Sequence, residues 1–91
     1  MAERKKRWDR RYRIVMFDIP QNRKSTRDRL RLLMRECGFL RIQDSVWVFP
    51  YDCEELMTLM KADLRVGKDI LYAVVESIEN DGWIKRHFNL R

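Results

Sequence analysis

The stretch "YRIVMFDIP", residues 12–20, decides the fold. Val15, Phe17 and Ile19 point one way along an extended chain, while Tyr12, Ile14 and Met16 point the other. A strand apolar on both sides belongs in the middle of a sheet with both faces covered. Pro20 has no N–H to give to a ladder and marks the strand's end. A carboxylate, Asp18, stands at that end, and its presence there is the first functional question.

The rest of the chain is punctuated clearly around this strand. "NRKSTRDRLRLLMRECG", residues 22–38, predicts a helix, with Asn22 or Ser25 as start cap, Gly38 as left-handed stop and a stripe of Leu30, Leu33, Met34 and Cys37. "FLRIQDSVWVFPY" predicts two short strands, over 39–43 and 45–50, with Asp44 near the turn. Trp47 and Phe49 alternate with Val46 and Val48, the pattern of a core strand. "DCEELMTLMKADLRVG" predicts a second helix, with a capping box at Asp52 and Glu55 and a buried side of Leu56, Leu59, Met60 and Leu64. "DILYAVVESI" is a fourth strand, apolar on both faces, and "DGWIKRHFNLR" a short helix or docked tail.

The order β-α-β-β-α-β is the ferredoxin-like split βαβ pattern, an α+β fold with a four-stranded antiparallel sheet and two helices on one face. Residues 1–11 form a basic leader, flexible up to Trp8, and residues 12–91 the single domain. Strands one and four are apolar on their second face too, and the tail is short for covering it. A homodimer that buries sheet against sheet, or sheet edge against tail, is the expected solution.

Composition narrows the function classes. The chain has 91 residues and a net charge of +6. Residues 1–41 hold 14 Lys+Arg against 5 Asp+Glu, and residues 42–91 hold 6 against 9, so one half is strongly basic and the other mildly acidic. Such asymmetry points to a polyanion-facing surface, most often nucleic acid. No apolar run approaches the ~20 residues of a membrane span, and the N-terminus lacks the apolar segment of a signal peptide, so the expected location is cytoplasmic. Cys37 and Cys53 are then reduced core residues. No phosphate-loop, dinucleotide or zinc spacing is present. Ser45 shows no His or Lys partner for a hydrolase triad. His87, beside Phe88, reads as a packed or surface histidine rather than a base, and Tyr51 as packed, with stacking on a nucleic-acid base as the alternative.

Two groups carry candidate chemistry. Asp18 ends strand one where ligand sites in α/β sheets tend to lie, although aspartate at such a place also simply accepts N–H groups of a turn. One carboxylate does not make a Mg²⁺ site, but a two-fold axis beside strand one would bring two copies of Asp18 together for metal-assisted hydrolysis. Arg23, Arg27, Arg31 and Arg35 recur every fourth residue, a coiling ridge beside the apolar stripe. A solvated helix face is one reading of them. Mutual repulsion without interleaved acids favours a phosphate backbone as counterpart. Lys5, Lys6, Arg7, Arg10 and Arg11 extend the same sign, and without a recognition-helix motif these are backbone contacts rather than base readers.

"RYRIVMFDIP", "RKSTRDRLRLLMRECGF" and "QDSVWVFPYDCEE" together resemble the Cas-two family of small CRISPR-associated proteins. "WDRRYRIVMFDIP", "SVWVFPYDC" and "FNL" resemble more closely the Cas-two-like domain of PaaX-type transcriptional regulators. The likeness spans about residues 8 to 90. It implies a homodimer with facing strand-one aspartates, Asp18 as a metal-binding and catalytic residue for Mg²⁺ or Mn²⁺, and Ser45 as the supporting serine that opens the third strand. It further implies endonuclease action on RNA or double-stranded DNA, or a structural role beside the CRISPR integrase in spacer acquisition. The alternative it carries is a non-catalytic DNA-binding or dimerisation domain of a PaaX-type regulator. CRISPR members usually continue into a fifth strand that joins the partner, whereas "WIKRHFNLR" looks helical. PaaX-type regulators place a winged helix where this chain has its basic leader.

Overall fold

The structure is a computed structural model that describes residues 7–91; Lys5, Lys6 and the rest of residues 1–6 of the basic leader lie outside the described residues. Its elements are β1 (Tyr12–Phe17), α1 (Lys24–Glu36), β2 (Leu40–Gln43), β3 (Val46–Phe49), α2 (Glu54–Leu64), β4 (Ile70–Val75) and α3 (Gly82–Phe88). Short 3₁₀ turns, Gln21–Arg23 and Gly67–Asp69, lead into α1 and β4. The sheet order is β2-β3-β1-β4 with every neighbouring pair antiparallel. The ferredoxin-like architecture expected from the sequence is therefore present, with a third helix added.

β1 takes the inner place its two apolar faces require. Val15 lies opposite Trp47 of β3 and Tyr72 of β4, and Ile14 opposite Val48 and Ala73. On the helix face, Leu30 and Met34 of α1 and Met57, Met60 and Leu64 of α2 close over Val15, Phe17, Trp47 and Ile70. Each such side chain contributes about 1.5–3 kcal/mol when fully buried. Cys37 and Cys53 are free thiols on this side. Cys53 donates its S–H toward the Tyr72 hydroxyl at 3.7 Å, and burial pushes its pKa up, which makes it an inert core thiol.

The second face holds a finding. α3 lays Ile84, with Phe88 and Leu90 beside it, over Tyr12, Ile14 and Val48, and Trp8 joins the cluster against Tyr12. The Tyr12 hydroxyl donates to Asp81 at 2.7 Å, just before α3 begins. A seven-residue helix thus covers one end of this face. It does not reach the other end, where Met16 and Leu71 stay 36% and 54% exposed.

Local differences from the sequence reading have plain causes. Neither Asn22 nor Ser25 caps α1; the chain leaves Pro20 through a 3₁₀ turn in which the Arg23 N–H donates to the Pro20 carbonyl. Gly38 is the stop, at φ +89°, with Phe39 and Gly38 donating back to Met34 and Arg35. Asp52 accepts the Glu54 N–H in a local turn, so no capping box with Glu55 forms. α2 ends early because Arg65 adopts the left-handed conformation. Its buried stripe is Met57, Met60 and Leu64, while Leu59 faces solvent.

Candidate nucleic-acid interface

The end of β1 gathers several of the residues singled out in the sequence. Asp18 is exposed, and its backbone N–H donates to the Asp69 carbonyl at 3.0 Å, which ties it to the start of β4. The Phe17 N–H donates to the Ser45 carbonyl at 3.2 Å, which brings Ser45 to the same end of the sheet. By the strand's alternation Asp18 faces the second side, in line with Met16. Met16 lies directly between Val46 and Leu71. A carboxylate and an uncovered apolar row therefore share the end that α3 leaves open. Among the described residues no group of three or more His, Cys, Asp or Glu side chains is placed to hold a metal ion. Asp18 alone supplies few of the six oxygens Mg²⁺ takes, so a resident cation there needs donors from a second copy or a phosphate.

The four helix arginines do not form one uniform ridge. Arg23 donates to the carbonyls of Leu64 and Arg65 at 2.9 and 3.1 Å and lies 3.8 Å from Asp69. It satisfies the carbonyls at the end of α2, a structural duty. Arg27 is half-buried, its Nε unpartnered. Arg31 reaches Asp44 at 3.8 Å, and exposed Arg35 sets its guanidinium carbon 6.0 Å from the centre of the Trp47 ring. Arg10 and Arg11 are exposed at the start of β1, the opposite end from Asp18, and Arg10 adopts φ +67°.

The sequence reading missed two arginines. Arg41 of β2 donates from Nε and Nη2 to the carbonyl and carboxylate of Asp44, at 2.8 and 2.7 Å, and lies 5.9 Å over the Trp47 ring. Arg13 is buried inside β1. It meets Asp9 with two hydrogen bonds of 2.9 and 2.7 Å and donates to the carbonyls of Pro50 and Arg11. The Arg13 guanidinium holds the Asp9 carboxyl down at about 2, and the carboxylate in turn raises the Arg13 pKa. Both residues line an open cleft of about 350 Å³ with Arg7, Pro50, Tyr51 and Asp52. The available signal was a lone arginine among apolar strand residues, with an aspartate four positions earlier.

Other residues fall as read. His87 is exposed and edge-on to Phe88, Tyr51 packs edge-on to Phe49, and Trp47 is buried. No helix among the described residues is long and apolar enough to cross a membrane.

Residues 5–83 match the family model described as the PaaX protein central Cas2-like domain. No curated protein and no solved structure matches the chain.

Proposed function

The chain belongs to the family of the PaaX protein central Cas2-like domain, and we propose that it is a self-associating cytoplasmic module that holds double-stranded nucleic acid by its phosphate backbone. The observation that carries this reading is the guanidinium series of Arg27, Arg31, Arg35 and Arg41, for which Asp44 is the one carboxylate partner among the described residues. Guanidinium forks suit phosphate oxygens, and nothing in the series is built to read bases. Self-association is supported by exposed Met16 and Leu71, which continue the apolar row begun by half-buried Val46. In a PaaX-type regulator such a module would supply dimerisation and sequence-independent grip.

A second reading is favoured by the exposed carboxylate beside that row. Two copies joined there would bring their Asp18 side chains together, and Mg²⁺ or Mn²⁺ held between them would assist phosphodiester hydrolysis. Ser45, at the same end, would support it. A DNA-holding role beside a CRISPR integrase uses the same dimer without the chemistry, and genome neighbourhood separates that role from regulation.

The test measures duplex DNA and RNA binding by fluorescence anisotropy across salt, and cleavage in Mg²⁺, Mn²⁺ or EDTA. Asp18→Ala runs alongside, its oligomeric state checked by light scattering. The expected result is a dimer whose duplex affinity falls steeply with salt. Metal-dependent cutting that disappears in a still-dimeric Asp18→Ala makes it a nuclease. Equal cutting by both proteins moves the chemistry elsewhere, and absence of duplex binding at low salt overturns the holding reading.

A further inference from the structure

Arg35 and Arg41 meet at the Trp47 ring on the β2 side of the sheet, and Arg31 joins the same edge through Asp44. Arg41 is the direct cross-strand partner of Trp47. Arg35 comes down from the last turn of α1 onto the same ring. The indole is 1% exposed, so it is a fixed platform, and a ring face attracts guanidinium groups within about 6 Å. The pairing of β2 with β3 is irregular between Arg41 and Gln43, the kind of bulge that re-aims a side chain. Arg31 adds a third guanidinium, its Nε buried without a partner.

Among the described residues one carboxylate, Asp44, pairs with Arg31 and Arg41, and none pairs with Arg35. A single oxygen of Asp44, Oδ1, lies 2.7 Å from Arg41 Nη2 and 3.8 Å from Arg31 Nη2. The Asp44 side chain is 87% exposed, so nothing but the arginines holds it in place. An exposed ion pair of this kind is weak and opens readily. A phosphate oxygen offers the same arginines a larger charge and the planar fork geometry they prefer.

Resting on the nucleic-acid reading above, we propose that Arg31, Arg35 and Arg41 form a phosphodiester-binding site at the α1–β2 edge, and that Asp44 is an internal phosphate mimic which occupies it until a backbone phosphate displaces it. Asp44 lowers affinity in the free protein and favours polyanions dense enough to compete with it. β2 is an edge strand, so a duplex can approach the site from the side without moving either helix.

The test is duplex binding across salt for the full chain and its variants. Asp44→Asn keeps the backbone carbonyl and a side-chain acceptor for Arg41 while it removes the charge. It should bind about two- to fivefold tighter at moderate salt, the worth of an exposed pair. Asp28→Asn removes the same charge from an exposed position on α1 and should raise affinity less. The pair Arg31→Gln with Arg41→Gln should weaken binding, flatten the salt slope by about 2, and cancel the Asp44→Asn gain. Thermal melts of each variant against wild type, run beside the binding curves, report an intact fold. Wild-type binding with Asp44→Asn no tighter than Asp28→Asn, or a gain that survives loss of both arginines, overturns this site and leaves the general reading standing. Absence of duplex binding by both wild type and Asp44→Asn overturns both.

Discussion

The two ends of β1 are built on opposite plans. At its start, both faces are closed: Tyr12 lies under α3 and bonds Asp81, and Arg13 is buried between Asp9 and the Pro50 carbonyl. At its end, one face is packed by Phe17 while the other carries Met16 at 36% exposure and then exposed Asp18. Six residues of one strand thus pass from a sealed region, where charge is neutralised within the chain, to an open one, where apolar surface and a carboxylate are left for something else. A small domain with a single short covering helix closes one end of its second face and leaves the other open.

The largest effect that tests this contrast is at Ile84. The side chain is 1% exposed and is the buried centre of α3's contact with the sheet. Ile84→Ala should cost about 2–4 kcal/mol in urea unfolding, the range for buried large-to-small changes. A cost below about 1 kcal/mol would mean that α3 rests on the sheet without sealing it, and the two ends would then differ less than described.

Next in size is the Asp9–Arg13 pair. Arg13→Met leaves the buried Pro50 carbonyl without its donor, at a cost of about 1–3 kcal/mol. Asp9 adds a pH dependence whose sign is fixed. Its carboxyl is lowered from 3.8 to about 2 by the hydrogen bonds and charge of Arg13. A depressed folded-state value stabilises the fold above the unfolded value and loses that stabilisation as pH falls from about 3.8 toward 2. The Asp9 side chain is 47% exposed, so solvent screening keeps the effect to about 1 kcal/mol or less. Asp9→Asn should remove that part of the acid-induced loss in thermal melts between pH 4 and pH 2; an unchanged acid profile would show that Arg13 is held by the carbonyls alone.

Why the sequence disclosed some of this and hid the rest follows from the range of each interaction. β1, Gly38 and the apolar stripe of α1 are local patterns, and they fold as their spacing dictates. The stripe of α2 was read correctly at Leu56, Met60 and Leu64 but took Leu59 in place of Met57, because these neighbouring positions offer two adjacent helical faces and only the sheet beneath chooses between them. The coverage of the second face was underestimated for a related reason. Seven residues look short, but Ile84 and Phe88 need only one helical turn to span Tyr12, Ile14 and Val48. The arginine ridge was legible as spacing and illegible as function. Arg23 is drawn to the end of α2, forty-one residues away, and Arg35 to a tryptophan on β3. Arg41 joins the Trp47 and Asp44 contacts from outside the repeat. Tertiary partners, absent from any helical wheel, sort equal arginines into unequal roles.

The smallest effect on stability should fall at the open end, where it is paired with the largest effect on assembly. Met16 is flanked directly by Val46 and Leu71, so one side chain sits at the centre of an apolar row across three strands. Its exposure means that Met16→Lys places a charge in water rather than in a core, and the chain's unfolding free energy should change by no more than about 0.5 kcal/mol. If two copies join through this row, the same change buries two ammonium groups face to face, and light scattering should report a monomer. Asp18→Asn at the rim should leave folding equally undisturbed and should relieve, not create, repulsion between copies. A dimer that persists in Met16→Lys would move self-association to another surface, with the outer edge of β4 next in order, and paired Asp18 chemistry would lose its geometric basis. A monomer that still binds duplex with unchanged salt slope would separate the two ends functionally: the open end for assembly, the α1–β2 edge for phosphate.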